Sequence, residues 1–183
     1  MTDLRRLAEL IQKRNRIDGE IAAIIGRPAH AGHIGEYLAA AIFGIDLNAG
    51  ANTKALDGYF RDSPLAGKSV NIKYGTRRDG MLNLAHSTDS ADHPDYYLVL
   101  TGPSIGAISS VGLSAPWVIH AVYLFESKEL VTFLTGLGKM PGVATSIRQH
   151  LWDAAMIYPE PNNSMLELTD AQRELLGLFQ GTE

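Results

Sequence analysis

A chain of 183 residues, 45% hydrophobic and 20% charged, has material for one well-packed core and too little for two large domains. It contains no cysteine, which excludes disulfides, thiolate metal sites and cysteine nucleophiles and leaves carboxylate, amide, carbonyl and histidine atoms to hold any metal. The net charge of -4 argues against a wholly basic nucleic-acid protein, and no apolar run is long enough to span a membrane.

The start, "MTDLRRLAELIQKRNR", is charged and amphipathic and lacks an apolar signal core, so the sequence predicts a soluble, cytoplasmic protein. Thr2 can cap a first helix that ends at Gly26 to Pro28, with Leu7, Leu10, Ile17, Ile21 and Ile24 along one stripe. Arg14 interrupts that stripe, which predicts a bend or packing through the arginine stem. A homodimer contact or a partner helix would account for the length of this element.

A second helix is expected over His33 to Phe43, closed by Gly44. Its sole acid, Glu36, lies in a nearly uncharged helix and calls for solvent, a cation or Lys73 as partner. Next, Leu56 to Arg61 and Val70 to Tyr74 alternate apolar and polar residues around "DSPLAGK", the signature of an antiparallel hairpin with a longer loop. The register that suits the pattern sets Asp57 opposite Lys73 and Tyr59 opposite Asn71, gathering Asp57, Asn71 and Lys73 on one polar face.

Downstream, Met81 to Ala85 is expected as a short helix within a polar segment. "YYLVLTG" (Tyr96 to Gly102) and "WVIHAVYLF" (Trp117 to Phe125) are near-continuous apolar runs, as expected of central strands covered on both faces. Ser127 is placed to cap a following helix, another helix is expected over Val143 to Met156, and a last one follows Thr169 and docks through Leu175, Leu176 and Leu178. The pattern amounts to a single α/β domain over 1–183: an N-terminal helix (1–28), an α/β core with a mixed sheet of four to five strands flanked by helices (29–160), and a C-terminal helix (161–183).

An aspartate and a second oxygen ligand beside a lysine can bind Mg²⁺, or Mn²⁺, and support attack of water on phosphorus. The order of a helix with Glu36, a strand with Asp57 and a strand with "NIK" (Asn71 to Lys73) resembles the restriction-endonuclease-like PD-(D/E)xK superfamily over roughly residues 33–125. The resemblance implies a DNA-hydrolysing nuclease of restriction or defence, with Asp57, Asn71 and Glu36 as metal ligands and Lys73, Asp57 and Glu36 as catalytic residues. Leu56 stands where the motif has proline, and Asn71 offers a neutral amide oxygen where the family usually has a carboxylate or glutamine. The alternative is a catalytically inactive module of the same fold that binds nucleic acid or a protein.

Lys68, Arg77 and Arg78 belong to a basic concentration around the hairpin and are the expected nucleic-acid contacts. The phrases "IAAIIGRPAHAGHIGE", "PLAGKSVNIKYG" and "VATSIRQHLWDAAMIYPEP" look like those of a group of bacterial proteins over nearly the whole chain, a likeness that brings no activity with it. Pro94-Asp95 and Glu126-Ser127-Lys128 imitate the nuclease motif by letter, but a strand start and a helix cap explain them better. His30, His33 and Glu36 could approach a metal from one helix, yet no HExxH pair accompanies them, and no zinc site is expected.

Overall fold

A computed structural model describes residues 2–48, 56–76, 80–102 and 116–181. Its centre is a mixed sheet of six strands: β1 (Ile45–Leu47), β2 (Gly58–Phe60), β3 (Ser69–Thr76), β5 (Tyr96–Gly102), β6 (Ala121–Glu126) and β8 (Met156–Tyr158), neighbours in that order. All pairings are antiparallel except that of β3 with β5. A separate two-stranded ribbon joins β4 (Met81–Leu82) to β7 (Thr145–Ser146).

The two long apolar runs form the buried centre, with every residue of β5 buried. On one side Phe60, Val70, Ile72, Leu98 and Leu100 pack with Ile42 and Phe43 of α2 (Ala31–Phe43) and Leu176 of α5 (Asp170–Gly177). On the other, Tyr97, Val99, Tyr123 and Phe125 meet Leu130 and Leu134 of α3 (Ser127–Gly136) and Trp152 of α4 (Gln149–Ala155). Alternation along each strand sends neighbouring side chains into different layers, so a central strand must be apolar at nearly every position.

Helix ends follow local chemistry where the cap was legible. Gly44 closes α2 in the left-handed conformation at φ 64°. Thr169 and Gln172 form a reciprocal capping box at α5. Of the leucines expected to dock α5, Leu176 is buried, while Leu175 and Leu178 remain exposed.

Several expected elements differ. Met81–Leu82 is a strand, because its backbone pairs with Thr145–Ser146. That pairing also takes the first residues of the expected Val143 to Met156 helix, leaving α4 only seven residues. Ser127 does not cap α3: Glu126 holds the N-cap position without a side-chain bond, and the Ser127 hydroxyl is buried with no partner. The helix α1 (Thr2–Ile25) runs 24 residues without a break at Arg14, which pairs with Asp18 at 3.4 Å. No described helix is long and apolar enough to cross a membrane.

Candidate functional site

The hairpin exists, but its register differs from the expected one by two residues. Gly58 lies opposite Val70 and Tyr59 opposite Ser69; the ladder ends there, and the Asp57 N–H donates to the Val70 carbonyl at 3.0 Å, so Asp57 does not pair with Lys73. The loop closes early because it folds on itself: Ser63 and Gly67 adopt positive φ, Gly67 N–H donates to the Phe60 carbonyl at 2.7 Å, and Leu65 is buried in the core. A slip of two preserves the faces, since the side-chain period of a strand is two. Asn71 and Lys73 therefore still share a face, while the ladder stops short of Asp57.

Beyond Gly58 the regular ladder ends, although the Asp57 N–H still bonds the Val70 carbonyl. Asn48 N–H donates to the Asp57 carbonyl at 2.8 Å, and the Asn48 side chain reaches the Leu56 carbonyl, drawing this backbone toward β1. The Ile72 N–H that regular pairing would satisfy is taken instead by the Asp57 carboxylate, Oδ2, at 2.6 Å. Asp57 thus stands at the edge of β3 with one oxygen engaged; among the described residues Oδ1 has no hydrogen-bond donor.

Val70 and Ile72 point to the α2 layer, and Asn71 and Lys73 to the opposite one, beside Tyr97 and Val99 of β5. Asn71 is 3% exposed, and its Oδ1 is buried without a hydrogen-bond partner among the described residues. Such an orphan costs about 1–3 kcal/mol of desolvation. Lys73 lines a cavity of about 130 Å³ with Leu82, Asn83, Thr101 and Trp152, and forms no ion pair with a described residue.

Glu36 projects from α2 and binds Arg27 at 2.5 Å. Arg27 is thus the partner that this lone helix carboxylate needed, a role hidden in a residue that reads as part of a helix-terminating "GRP". Gly35 lets α2 approach β3, for a Cβ there would stand 2.7 Å from Tyr74 Cβ. That approach brings Glu36 within electrostatic reach of Asp57.

Burial pushes the Asp57 carboxyl above its usual range. The Ile72 N–H opposes that rise, the Glu36 charge adds to it, and Lys73 and Arg27 oppose it more weakly. Glu36, Asp57, Lys73 and Arg27 are therefore one electrostatic group, although Asp57 and Lys73 do not touch. Two acids and two bases balance in charge.

The donor chemistry suits a hard divalent cation at low charge: a free carboxylate oxygen on Asp57, whose other oxygen is held by the Ile72 N–H, and an unpartnered amide oxygen on the neighbouring Asn71. Glu36, held by Arg27, projects from α2 on the other side of the sheet from Asn71 and is near Asp57 alone of the two. Among the described residues no three histidine or acidic side chains are gathered as a metal cage. His33 Nδ1 lies 2.8 Å from the Pro28 carbonyl, consistent with a structural histidine.

Asp95, Glu126 and Lys128, the letter-for-letter imitation of the motif, do share a concavity of about 530 Å³ with Lys68, Ser69 and His93. Asp95 is fully occupied there, accepting from Ser69 N–H at 2.8 Å, from Ser69 Oγ at 2.7 Å and from Lys68 at 3.3 Å. Lys68, expected at nucleic acid, is thus tied to Asp95. His93 is buried: Nε2 lies 3.0 Å from the Ser87 carbonyl and Nδ1 2.9 Å from the Tyr97 hydroxyl. A carbonyl only accepts, so Nε2 carries the proton and Nδ1 receives that of Tyr97.

Arg77 and Arg78 lie outside the described residues. Compared with known proteins, the chain matches no protein-family model and no curated protein.

Proposed function

We propose that the protein hydrolyses DNA phosphodiester bonds with a divalent metal, Mg²⁺ or Mn²⁺, at the edge of β3. The observation that carries this reading is the unpartnered, buried Oδ1 of Asn71, next in sequence to Ile72, whose N–H holds the Asp57 carboxylate with its own Oδ1 free. A sheet interior seldom keeps an amide oxygen without a partner, and a position that costs stability is better explained by chemistry than by packing. Asp57 and Asn71 would hold the metal, with Glu36 in support; bound there, it would polarise a phosphoryl oxygen and lower the pKa of an attacking water.

The chain's own groups supply the remainder. The Ile72 N–H fixes the Asp57 carboxylate in place, so its second oxygen is oriented before any ligand arrives. Lys73, on the same face as Asn71, carries a positive charge able to stabilise the charge that develops on phosphorus oxygens. Arg77 and Arg78, close in sequence to Lys73, add charge for the DNA backbone. A setting in restriction or defence follows from the motif order alone.

The test is cleavage of supercoiled, linear and single-stranded DNA with Mg²⁺ or Mn²⁺, comparing the wild type with Lys73→Ala and Asn71→Asp. Cleavage lost in Lys73→Ala and less metal required by Asn71→Asp is the expected result. A folded wild type that cuts nothing with either metal would sink the proposal. One observation favours a second reading, a nuclease-fold module that binds nucleic acid without cutting it: Glu36 is already neutralised by Arg27. That module would bind DNA equally well in chelator.

A further inference from the structure

The helix α1 leaves a row of large apolar side chains in solvent. Leu7 is 51% exposed, Ile17 55% and Ile24 69%, and α1 makes its main contact with the body through α2, which follows it in the chain. Leu7, Leu10, Arg14, Ile17, Ile21 and Ile24 recur at alternating steps of three and four, the spacing of a two-stranded coiled-coil seam. Because the helix continues unbroken through Arg14, the seam runs without interruption from Leu7 to Ile24, about 26 Å at 1.5 Å per residue.

We propose that this seam is covered by α1 of a second copy of the chain, packed antiparallel. In that arrangement the layers are Leu7 with Ile24, Leu10 with Ile21, and Arg14 with Ile17, each twice by symmetry. The positions flanking the seam then set Lys13 of one copy beside Glu20 of the other, again twice, a complementary pair. A parallel pairing in register would instead force Arg14 against Arg14 in the buried layer. Antiparallel packing spreads the two arginines into separate layers, where each stem covers apolar surface while its charge reaches out to solvent.

The charge of the helix argues against a lipid surface as the occupant. Five basic residues (Arg5, Arg6, Lys13, Arg14, Arg16) are offset by four acids (Asp3, Glu9, Asp18, Glu20), whereas helices that lie on anionic membranes carry a predominantly basic polar face. The antiparallel geometry also keeps the two α/β bodies at opposite ends of the seam, because each body joins α1 at its C-terminal end. The dimer forms whatever chemistry occurs at β3.

The experiment is sedimentation of the full-length protein over a concentration series, joined to cysteine cross-linking, for which the cysteine-free chain is well suited. The wild type sediments as a dimer, and Ile17→Asp as a monomer with an unchanged thermal midpoint, since that side chain supports nothing in the body. Lys13→Glu and Glu20→Lys each raise the dissociation constant several-fold, and the double variant restores it. A mixture of Leu10→Cys and Ile21→Cys proteins cross-links between the two species, and neither alone cross-links with itself. A wild type that stays monomeric at every concentration, with or without added anionic vesicles, overturns the proposal. Self-cross-linking of Arg14→Cys with no mixed product overturns it equally, because it reports parallel chains.

Discussion

Replacing Asp57 separates the two things its carboxylate does, accept a backbone proton and carry a half-buried charge. The Ile72 N–H···Oδ2 bond is 2.6 Å long, and a hydrogen bond to a charged group contributes about 1.5–3 kcal/mol. The site is only partly buried and water can enter a truncated one, so Asp57→Ala is expected to cost the lower part of that range, about 1.5–2 kcal/mol. For a chain of this size that lowers the midpoint by about 3–8 °C. Asp57→Asn keeps an acceptor for Ile72 and removes the charge that burial and Glu36 disfavour, so it should match or exceed the wild type at neutral pH.

The pH dependence has a definite sign. A carboxyl whose folded pKa is raised above the ordinary value of 3.8 contributes stability that is fully present below that value and is lost as pH rises through the folded pKa. The wild type should therefore lose ground to Asp57→Asn as pH rises from 3.8 through the folded value, and the gap should then level off. Urea unfolding of the three proteins across acid and neutral pH measures this. A gap independent of pH, or Asp57→Asn as unstable as Asp57→Ala, would refute the account of Asp57.

Three further outcomes follow from single contacts. In Gly58→Ala the new Cβ would stand 2.3 Å from the Asp46 carbonyl oxygen of β1, and since backbone cannot swing aside, the cost should reach about 3 kcal/mol, or about 6–12 °C in a thermal melt; an unchanged midpoint would mean the two strands are farther apart. Asn71→Val removes the orphan oxygen and should gain about 1 kcal/mol in urea unfolding while abolishing any cleavage; a loss of stability would show that the amide has a structural partner. Burial acts to raise the Asp95 pKa, but its bonds from Ser69 and Lys68 outweigh it and hold the carboxyl below the usual range. Stability from Asp95 is thus present at neutral pH and lost as pH falls through that depressed value, so Asp95→Asn should cost about 1 kcal/mol at neutral pH, given its exposure, and nothing in strong acid. Equal costs at both pH values would contradict the assignment.

Local patterns in the chain determined the elements whose signal is local. Val70 to Tyr74 alternates, Tyr96 to Gly102 is apolar throughout, Gly44 is free to turn left-handed and Thr169 can cap, and each feature produced its element because it satisfies the backbone or buries a face without help from distant residues. That Asn71 and Lys73 share one face of β3 was legible for the same reason: strand alternation preserves faces even when the register slips by two.

Tertiary structure decided the remainder. The burial of Leu65 tightened the loop and shifted the hairpin register by two, Thr145 and Ser146 turned Met81–Leu82 from helix to strand, and the close packing allowed by Gly35 brought Glu36, with Arg27, near Asp57. Each of these outcomes depends on a partner distant in sequence, and short-range periodicity carries no information about which distant surfaces will compete for a segment's hydrogen bonds and apolar faces.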